Sequence, residues 1–377
     1  MPVMKLHIVS FDVPWPANYG GVIDVLNRIQ ALHASDVSII LHCFDYGRGE
    51  VELLRKWCDE VHYYPRKNKV ASMVGKDPMI VASRTCKHLL KNLKAHGAPI
   101  LFEGQHTTAY LGHPELKDQI QLVRVHNVEH DYYAQLGRQE KSSWKKKYFK
   151  TEAKRLKKHE KNLQKADQLL CITPKDTEYY QSQYGNATHL PVAIRCQFPE
   201  LKAERIVNYP FALYHGNLCV AENDRAAHWL LNNICSKTDV RFIFAGKLPT
   251  AGLKRKIEGF ENVELIANPD DETLQQYMTQ TNVHLLYTQQ STGIKLKLMH
   301  ALCSGKPVLC NEKMVVGTGL EPFCDVKETP EEAIREVHEY LQQQLPPNEA
   351  IQDELKRDFG FHAHAHQIMN ALQKLHQ

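Results

Sequence analysis

The chain has 377 residues, 43% of them hydrophobic and 24% charged, which is too long for one ordinary core and too apolar for a disordered or fibrous chain, so two globular domains are expected. Its net charge of +4 is modest and requires no nucleic-acid partner. No apolar run approaches the roughly 18 residues of a membrane span, and the ten cysteines are scattered without a C-x-x-C pair, as free thiols in a reducing cytoplasm would be.

The opening MPVMKLHIVSFDVPWP lacks a basic region ahead of a leader-like core and begins directly with a strand, at residues 5–11. Gly20-Gly21 follows, then a helix with Val22, Val25, Leu26, Ile29 and Leu32 on one face. A glycine pair between strand and helix lets a ligand approach the backbone, and a tight structural turn looks the same. The G-x-G-x-x-G fingerprint is not matched. Strands at 37–44, 60–64, 100–103 and 122–126 then alternate with helices near 51–58 and up to about residue 96. That rhythm predicts a mostly parallel sheet covered by helices, with ligands gathered at the carboxyl ends of its strands. Two polar clusters stand at such ends: Glu103-Gly104-Gln105-His106, and His126-Asn127-Val128-Glu129-His130-Asp131.

Residues 141–164 read as a long helix with Lys146, Lys150, Lys154, Lys157 and Lys161 on one face and Trp144, Tyr148, Phe149, Leu156 and Leu163 on its apolar side. The basic face is either solvated surface or a peripheral contact with an anionic membrane or a phosphate-bearing acceptor. It has too few exposed aromatics to argue for stacking nucleic acid. Strands at 169–172 and 189–194 close the first half.

After a linker at 196–209 a new alternation begins: a strand at Phe211, a turn with Asn217, Glu222, Asn223 and Asp224, and a helix through Ile234. Strand 240–245, helix 253–257, strand 263–266 and helix 273–278 lead to NVHLLYTQQSTGIKLKLMHALCSGKPVLCN. This stretch reads as a βαβ unit: strand 283–287, a helix from about Gly293 to Cys303, a Gly-Lys-Pro stop, and strand 307–310. At the helix start, Ser291, Thr292 and Gly293 bring short hydroxyls and open backbone beside free amides, with Lys295 and Lys297 adding charge. His300 lies two turns on along the same face. The remainder is helical, at 329–344 and from 352 to the end. His362, His364 and His366 are better suited to a solvated helix than to a metal tract.

In order and spacing, Gly20-Gly21, RVHNVEHDYY, ADQLLCITPKDTEYY, YHGNLCVAENDRAAHWLL, FIFAGKLP and TGIKLKLMHALCSGKPVLCN resemble the retaining group 1 nucleotide-sugar glycosyltransferases of the GT-B fold. The resemblance spans nearly the whole chain. It implies an α/β protein of two Rossmann-like βαβ domains facing across a cleft: an acceptor-side domain at 1–195, a linker at 196–209, a donor domain at 210–350, and a C-terminal helix at 351–377 returning to the first domain. It further implies transfer of a sugar from a nucleotide-sugar donor to a glycan or lipid-linked acceptor, without a cofactor. The expected setting is cytoplasmic, free or resting on the inner face of the membrane through the basic helix.

The family's residues carry over by position. Ser291, Thr292, Gly293, Lys295 and Lys297 would hold the donor diphosphate, with Asn217, Gly246 and Lys247 at neighbouring strand ends and His300 toward the ribose. Gly20 and Gly21 would approach the donor phosphates, His126 would lie beside the transferred sugar, Glu129 would be the second catalytic group, and Glu103 and His106 would serve the acceptor. The family's paired glutamates fall on Thr292 and His300, a departure that weakens the grip on ribose hydroxyls, because neutral imidazole and hydroxyl accept less than carboxylate. No D-x-D motif offers a metal site, so helix amides and lysines would stabilise the leaving diphosphate. A nucleotide-sugar 2-epimerase and an inactive donor-binding partner subunit stay open as alternatives.

Overall fold

The computed structural model describes residues 4–67, 75–195, 205–290, 295–343 and 345–376. The chain divides into two compact units, Met1–Arg195 together with Asp358–Gln377, and Cys196–Arg357.

The first unit is built on a seven-stranded parallel sheet of order β3-β2-β1-β4-β5-β6-β7. Its strands are β1 (Lys5–Ser10), β2 (Ser38–Asp45), β3 (Glu60–Pro65), β4 (Ile100–Glu103), β5 (Gln121–Val125), β6 (Gln168–Cys171) and β7 (Ala187–His189). They are almost continuously apolar because helices cover both faces. One face buries Leu6, Ile8, Leu101 and Leu122 together with Val25, Ile29 and Leu32 of helix α1 (Gly20–His33) and Ile368 and Leu372 of the last helix. The other buries Val9, Phe102, Val123, Leu163 and Tyr180. β1 pairs with both β2 and β4, so the winding reverses there, the place where open parallel sheets take their ligands.

Helices α2 (Glu129–Gln139) and α3 (Ser143–Glu160) form a hairpin beyond β5. The long helix expected at 141–164 ends as an α-helix at Glu160 and closes in a 3-10 turn, Lys161–Lys165. Trp144, expected on its apolar side, is 69% exposed. The helix near 51–58 is likewise only a 3-10 turn, Glu52–Lys56. Pro174 opens α4 (Pro174–Tyr184), which Thr173 caps through its side chain and Gly185 stops in the left-handed conformation.

The second unit carries a six-stranded parallel sheet of order β10-β9-β8-β11-β12-β13. The strands are β8 (Ala212–Asn217), β9 (Phe242–Lys247), β10 (Val263–Ala267), β11 (Val283–Leu286), β12 (Val308–Cys310) and β13 (Asp325–Val326). Its winding reverses between β8 and β11. Helix α5 (Ala221–Asn233) follows β8, and α6 (Leu296–Cys303) follows β11 with Lys295 at its N-cap. The helix start expected at Gly293, with Ser291 and Thr292, lies outside the described residues.

Two helices end the chain, α7 (Glu349–Phe359) and α8 (Phe361–Leu375). The return to the first unit starts at Asp358, later than residue 351. The reason is local, since Gln352 on α7 donates to the Cys303 carbonyl at 2.9 Å and so stays with α6. Beyond it, the Ile194 amide donates to the Phe359 carbonyl at 2.9 Å, and Ile194 bridges Gly360. α8 then lies on α1. Of the three histidines expected on a solvated helix, His362 and His366 are exposed, whereas His364 is buried at 1% exposure.

Candidate functional site

In the first unit, the carboxyl ends of β4 and β5 place Glu103 and His126 side by side. The His126 Nε2–H donates to Glu103 Oε2 at 3.2 Å. Glu103 is fully buried, and Arg28 of α1 grips both its oxygens, at 2.7 and 3.2 Å. It therefore stands behind His126 and has no oxygen left for an acceptor, contrary to its expected role. Arg28 also meets Asp24, and Arg124 of β5 reaches the same Asp24 carboxylate at 3.1 and 3.3 Å. The circuit ends at His364, whose Nδ1–H donates to the Pro191 carbonyl at 3.0 Å while its Nε2 accepts from Arg28 at 3.1 Å. Burial, reinforced by the guanidinium groups, holds His364 neutral. Burial works against the Asp24 charge too, but Arg124 and Arg28 outweigh it and hold the carboxyl well below its ordinary range.

Oxygen and nitrogen atoms of Asp24, Glu103 and His126 lie within 4.8 Å of one another, a spacing that suits a metal ion. Both carboxylates are already neutralised by Arg28 and Arg124, so guanidinium groups occupy the role a cation would fill. The donor set does not fit a resident metal.

On the open side of His126, the Phe11 ring meets it edge-on at 5.5 Å and tilts against His106 at 5.3 Å. Gly104 sits between the two histidines at φ +70°, and a Cβ there would fall 2.8 Å from His106 Nδ1. That buried Nδ1 has no hydrogen-bond partner among the described residues. Burial first, and then the charge of Arg84, holds His106 neutral. Arg84 is 5% exposed and anchored on the Phe11 and Ile80 carbonyls at 2.8 and 2.7 Å. Sequence reasoning missed it, because nothing in its local pattern separates it from a surface arginine.

Glu129 opens α2 and is 4% exposed. Burial pushes its carboxyl up to about 7, against a hydrogen bond from Asn127, with the Asp176 charge adding to the rise. Such a group exchanges a proton near neutrality, as a general acid or base must. Gly21 is explained differently from expectation. A Cβ there would lie 2.8 Å from the Phe11 ring, so its missing side chain serves helix packing, and Gly20 beside it is exposed.

In the second unit, Lys297 on α6 donates to Asn223 Oδ1 at 2.9 Å, and its ammonium lies 5.1 Å from the centre of the Tyr214 ring. Asn223, in the first turn of α5, donates to the Asn217 carbonyl at 2.9 Å, and Tyr214 donates to the Asn223 carbonyl at 2.8 Å. Glu222 accepts from the Thr288 hydroxyl, and the Asn311 side-chain amide accepts from the Thr288 backbone N–H at 3.1 Å and donates to its carbonyl at 2.8 Å. The ends of β8 and β11 are thereby tied to both helices. Burial lowers both Lys295 and Lys297 to about 8, with Glu222 opposing the shift. Among the described residues, amide oxygen and an aromatic face meet the Lys297 ammonium where a carboxylate would be the usual partner.

Asn217, Lys295 and Lys297 thus fall in one cluster at the switch point, and Glu222, Asn223, Tyr214 and Thr288 complete it. His300 is exposed farther along α6. Two other expected donor contacts have structural explanations. A Cβ at Gly246 would lie 1.9 Å from the Gly216 carbonyl oxygen across the strand pair, so close backbone packing demands the glycine. Lys247 is exposed and faces Asp271 at 3.6 Å.

Residues 209–341 match the family model "Glycosyl transferases group 1". The match lies within the second unit. A relative from Klebsiella pneumoniae, described as an uncharacterized 44.6 kDa protein in the cps region, is 27% identical over 333 residues, covering 84% of each chain. The chain also shares its GT-B fold with solved structures of low sequence identity. A Rickettsia africae glycosyltransferase matches with a TM-score of 0.68 at 11% identity over all of both chains. Sucrose-phosphate synthase of Thermosynechococcus elongatus matches at 0.69 and 16% over 99% of each. HepE of Anabaena, solved in complex with UDP, matches at 0.67 and 13% over 98% of this chain and 100% of that one.

Proposed function

We propose that the chain transfers a hexosyl residue from a nucleoside-diphosphate sugar to a glycan or lipid-linked acceptor, with retained configuration and without a metal ion. The observation that carries this reading is the Lys295–Lys297 cluster at the β8/β11 switch point. Lys297 is desolvated yet meets Asn223 and Tyr214, so a bound diphosphate would supply the counter-charge the protein withholds. Asn217 and the first turn of α5 flank the same place. In the first unit, His126, held by Glu103, is the group assigned to the transferred sugar, and Glu129 is assigned to proton exchange. The relative in a cps region supports a polysaccharide acceptor, and the UDP-bound fold neighbour makes UDP the first nucleotide to try.

Thermal shift and donor hydrolysis with UDP-, GDP-, ADP- and CMP-sugars, in EDTA and in Mg²⁺, test it. One nucleoside diphosphate should stabilise the protein equally in both, with slow sugar release that Lys297→Ala weakens and NMR showing the retained anomer. Stabilisation that depends on Mg²⁺, or an inverted anomer, removes the corresponding part of the reading. His300, where the family has a carboxylate, favours a second reading as an inactive donor-binding subunit. Nucleotide binding with no turnover under any acceptor mixture would select it.

A further inference from the structure

Along the α2/α3 hairpin, inside the first unit, runs an open cavity of about 480 Å³. Ala134, Gly137 and Ala153 leave room for it. The helices lie close at Gly137, since a Cβ there would lie 3.2 Å from the Phe149 Cβ. Over this small-residue floor stand Lys146, Lys150 and Lys154 of α3, with Arg138 of α2 at one end and Lys157 at the other.

The three lysines recur every fourth residue, so their ammonium groups crowd one face and repel one another. Two other cations of α3 are answered: Arg155 pairs with Glu152 at 2.9 Å and Lys157 with Glu160 at 3.1 Å. Among the described residues no carboxylate pairs with Lys146, Lys150 or Lys154. Asp131 is the one acidic residue lining the cavity, and it faces His130 at 3.4 Å. The Lys157 end is fixed, because the buried Glu160 also accepts from His130 at 2.7 Å and Tyr179 at 2.8 Å. Between the charges, the walls are alanine methyls and lysine methylenes. From Lys146 to Lys154 the row spans about 12 Å of helix, longer than a single carboxylate would use and suited to linked phosphates. At the start of α3 the exposed Trp144 ring stacks on Tyr148 at 6.5 Å, an amphipathic surface of the kind that enters a lipid boundary.

We propose that this cavity seats the phosphate end of a lipid-linked acceptor, with the lysine row neutralising its oxygens, its first methylenes against the alanine floor, and Trp144 at the lipid surface. The proposal rests on the glycosyltransferase reading and names the acceptor class for it.

The test is flotation of the full chain with phosphatidylcholine vesicles carrying a long-chain prenyl diphosphate, beside phosphatidylglycerol vesicles of matched charge and inorganic diphosphate as competitor. The prenyl diphosphate vesicles should bind, and Lys146→Glu/Lys150→Glu/Lys154→Glu should weaken binding about a hundredfold. Ala153→Leu, which fills the cavity without touching charge, should weaken it about tenfold and leave the weaker phosphatidylglycerol binding unchanged. Free diphosphate should compete poorly. Equal binding to both vesicles with no response to Ala153→Leu would reduce the cavity to an anionic-surface contact and overturn the proposal, as would no binding or an indifferent triple variant. Efficient competition by free diphosphate would remove the lipid from it. The UDP thermal shift is measured on every variant. If it persists while vesicle binding is lost, the effect belongs to the cavity; if it is absent from wild type while vesicles bind, the donor reading fails and the cavity stands.

Discussion

Two charge clusters, one in each unit, are built on opposite principles. In the first, Asp24 and Glu103 face Arg28 and Arg124 with every carboxylate oxygen engaged, and His364 caps the spare guanidinium nitrogen. In the second, Lys297 is desolvated against an amide and a ring, and Glu222 spends an oxygen on Thr288. A cluster that balances itself supports structure, whereas one that leaves its cation under-compensated would, on the proposed reading, receive an anion from outside.

The largest effect should come from unbalancing the first cluster. Glu103→Ala leaves Arg28 buried with half its partners, and urea unfolding should show a loss of about 3–5 kcal/mol. Arg28→Met/Glu103→Leu together should lose less than the two single changes summed. Additive losses would mean the pair is not coupled.

The next contrast concerns Glu129. Its folded carboxyl is raised to about 7 from an unfolded value near 4.5, so the native state binds the extra proton between those values and stability falls as pH rises through that window. Glu129→Gln should leave stability unchanged near pH 4 and raise it at pH 8 by about 3 kcal/mol. A pH-independent difference between the two proteins would refute the shift.

For the second cluster the expected change is in binding. Lys297→Met should cost about ten- to a hundredfold in nucleoside-diphosphate affinity by calorimetry, the size of a charge-assisted hydrogen bond. The unliganded protein should melt no lower, because a poorly compensated cation is removed; a melting point that falls as far as that of Glu103→Ala would erase the distinction between the clusters. The smallest effect is in pH. With Lys295 and Lys297 lowered to about 8, the unliganded site loses charge as pH climbs past that value, so affinity should decline above about pH 8 and binding there should take up protons. Calorimetry in buffers of different ionisation enthalpy would detect the uptake, and its absence would show lysines already charged.

Much of this could be read from the sequence. Alternating apolar strands and helical faces gave two parallel sheets, and motif order gave the GT-B fold, because those signals are local and repeated. Lys295, Lys297 and Asn217 could be placed since they sit at strand and helix ends. The first-unit circuit was not legible. Asp24 and Arg28 look like an ordinary exposed i, i+4 pair on α1, Arg124 looks like an outward position in an apolar strand, and His364 belongs to a run that reads as surface. Each is buried only because the others are, and single-residue patterns carry no record of a partner a hundred or more positions away. Gly246 shows the converse, for a glycine required by the neighbouring strand and one required by a ligand look alike in one sequence.

His364 has a temporal consequence. During synthesis β1 through β7 emerge first, yet α8, which covers α1 and caps Arg28, leaves the ribosome only after the whole second unit. Domains usually complete themselves in the order they are made. Here the unit translated first is finished last, and until its closing helix arrives the nascent chain holds an apolar groove along α1 and an incompletely capped arginine, a period when chaperone contact would matter most.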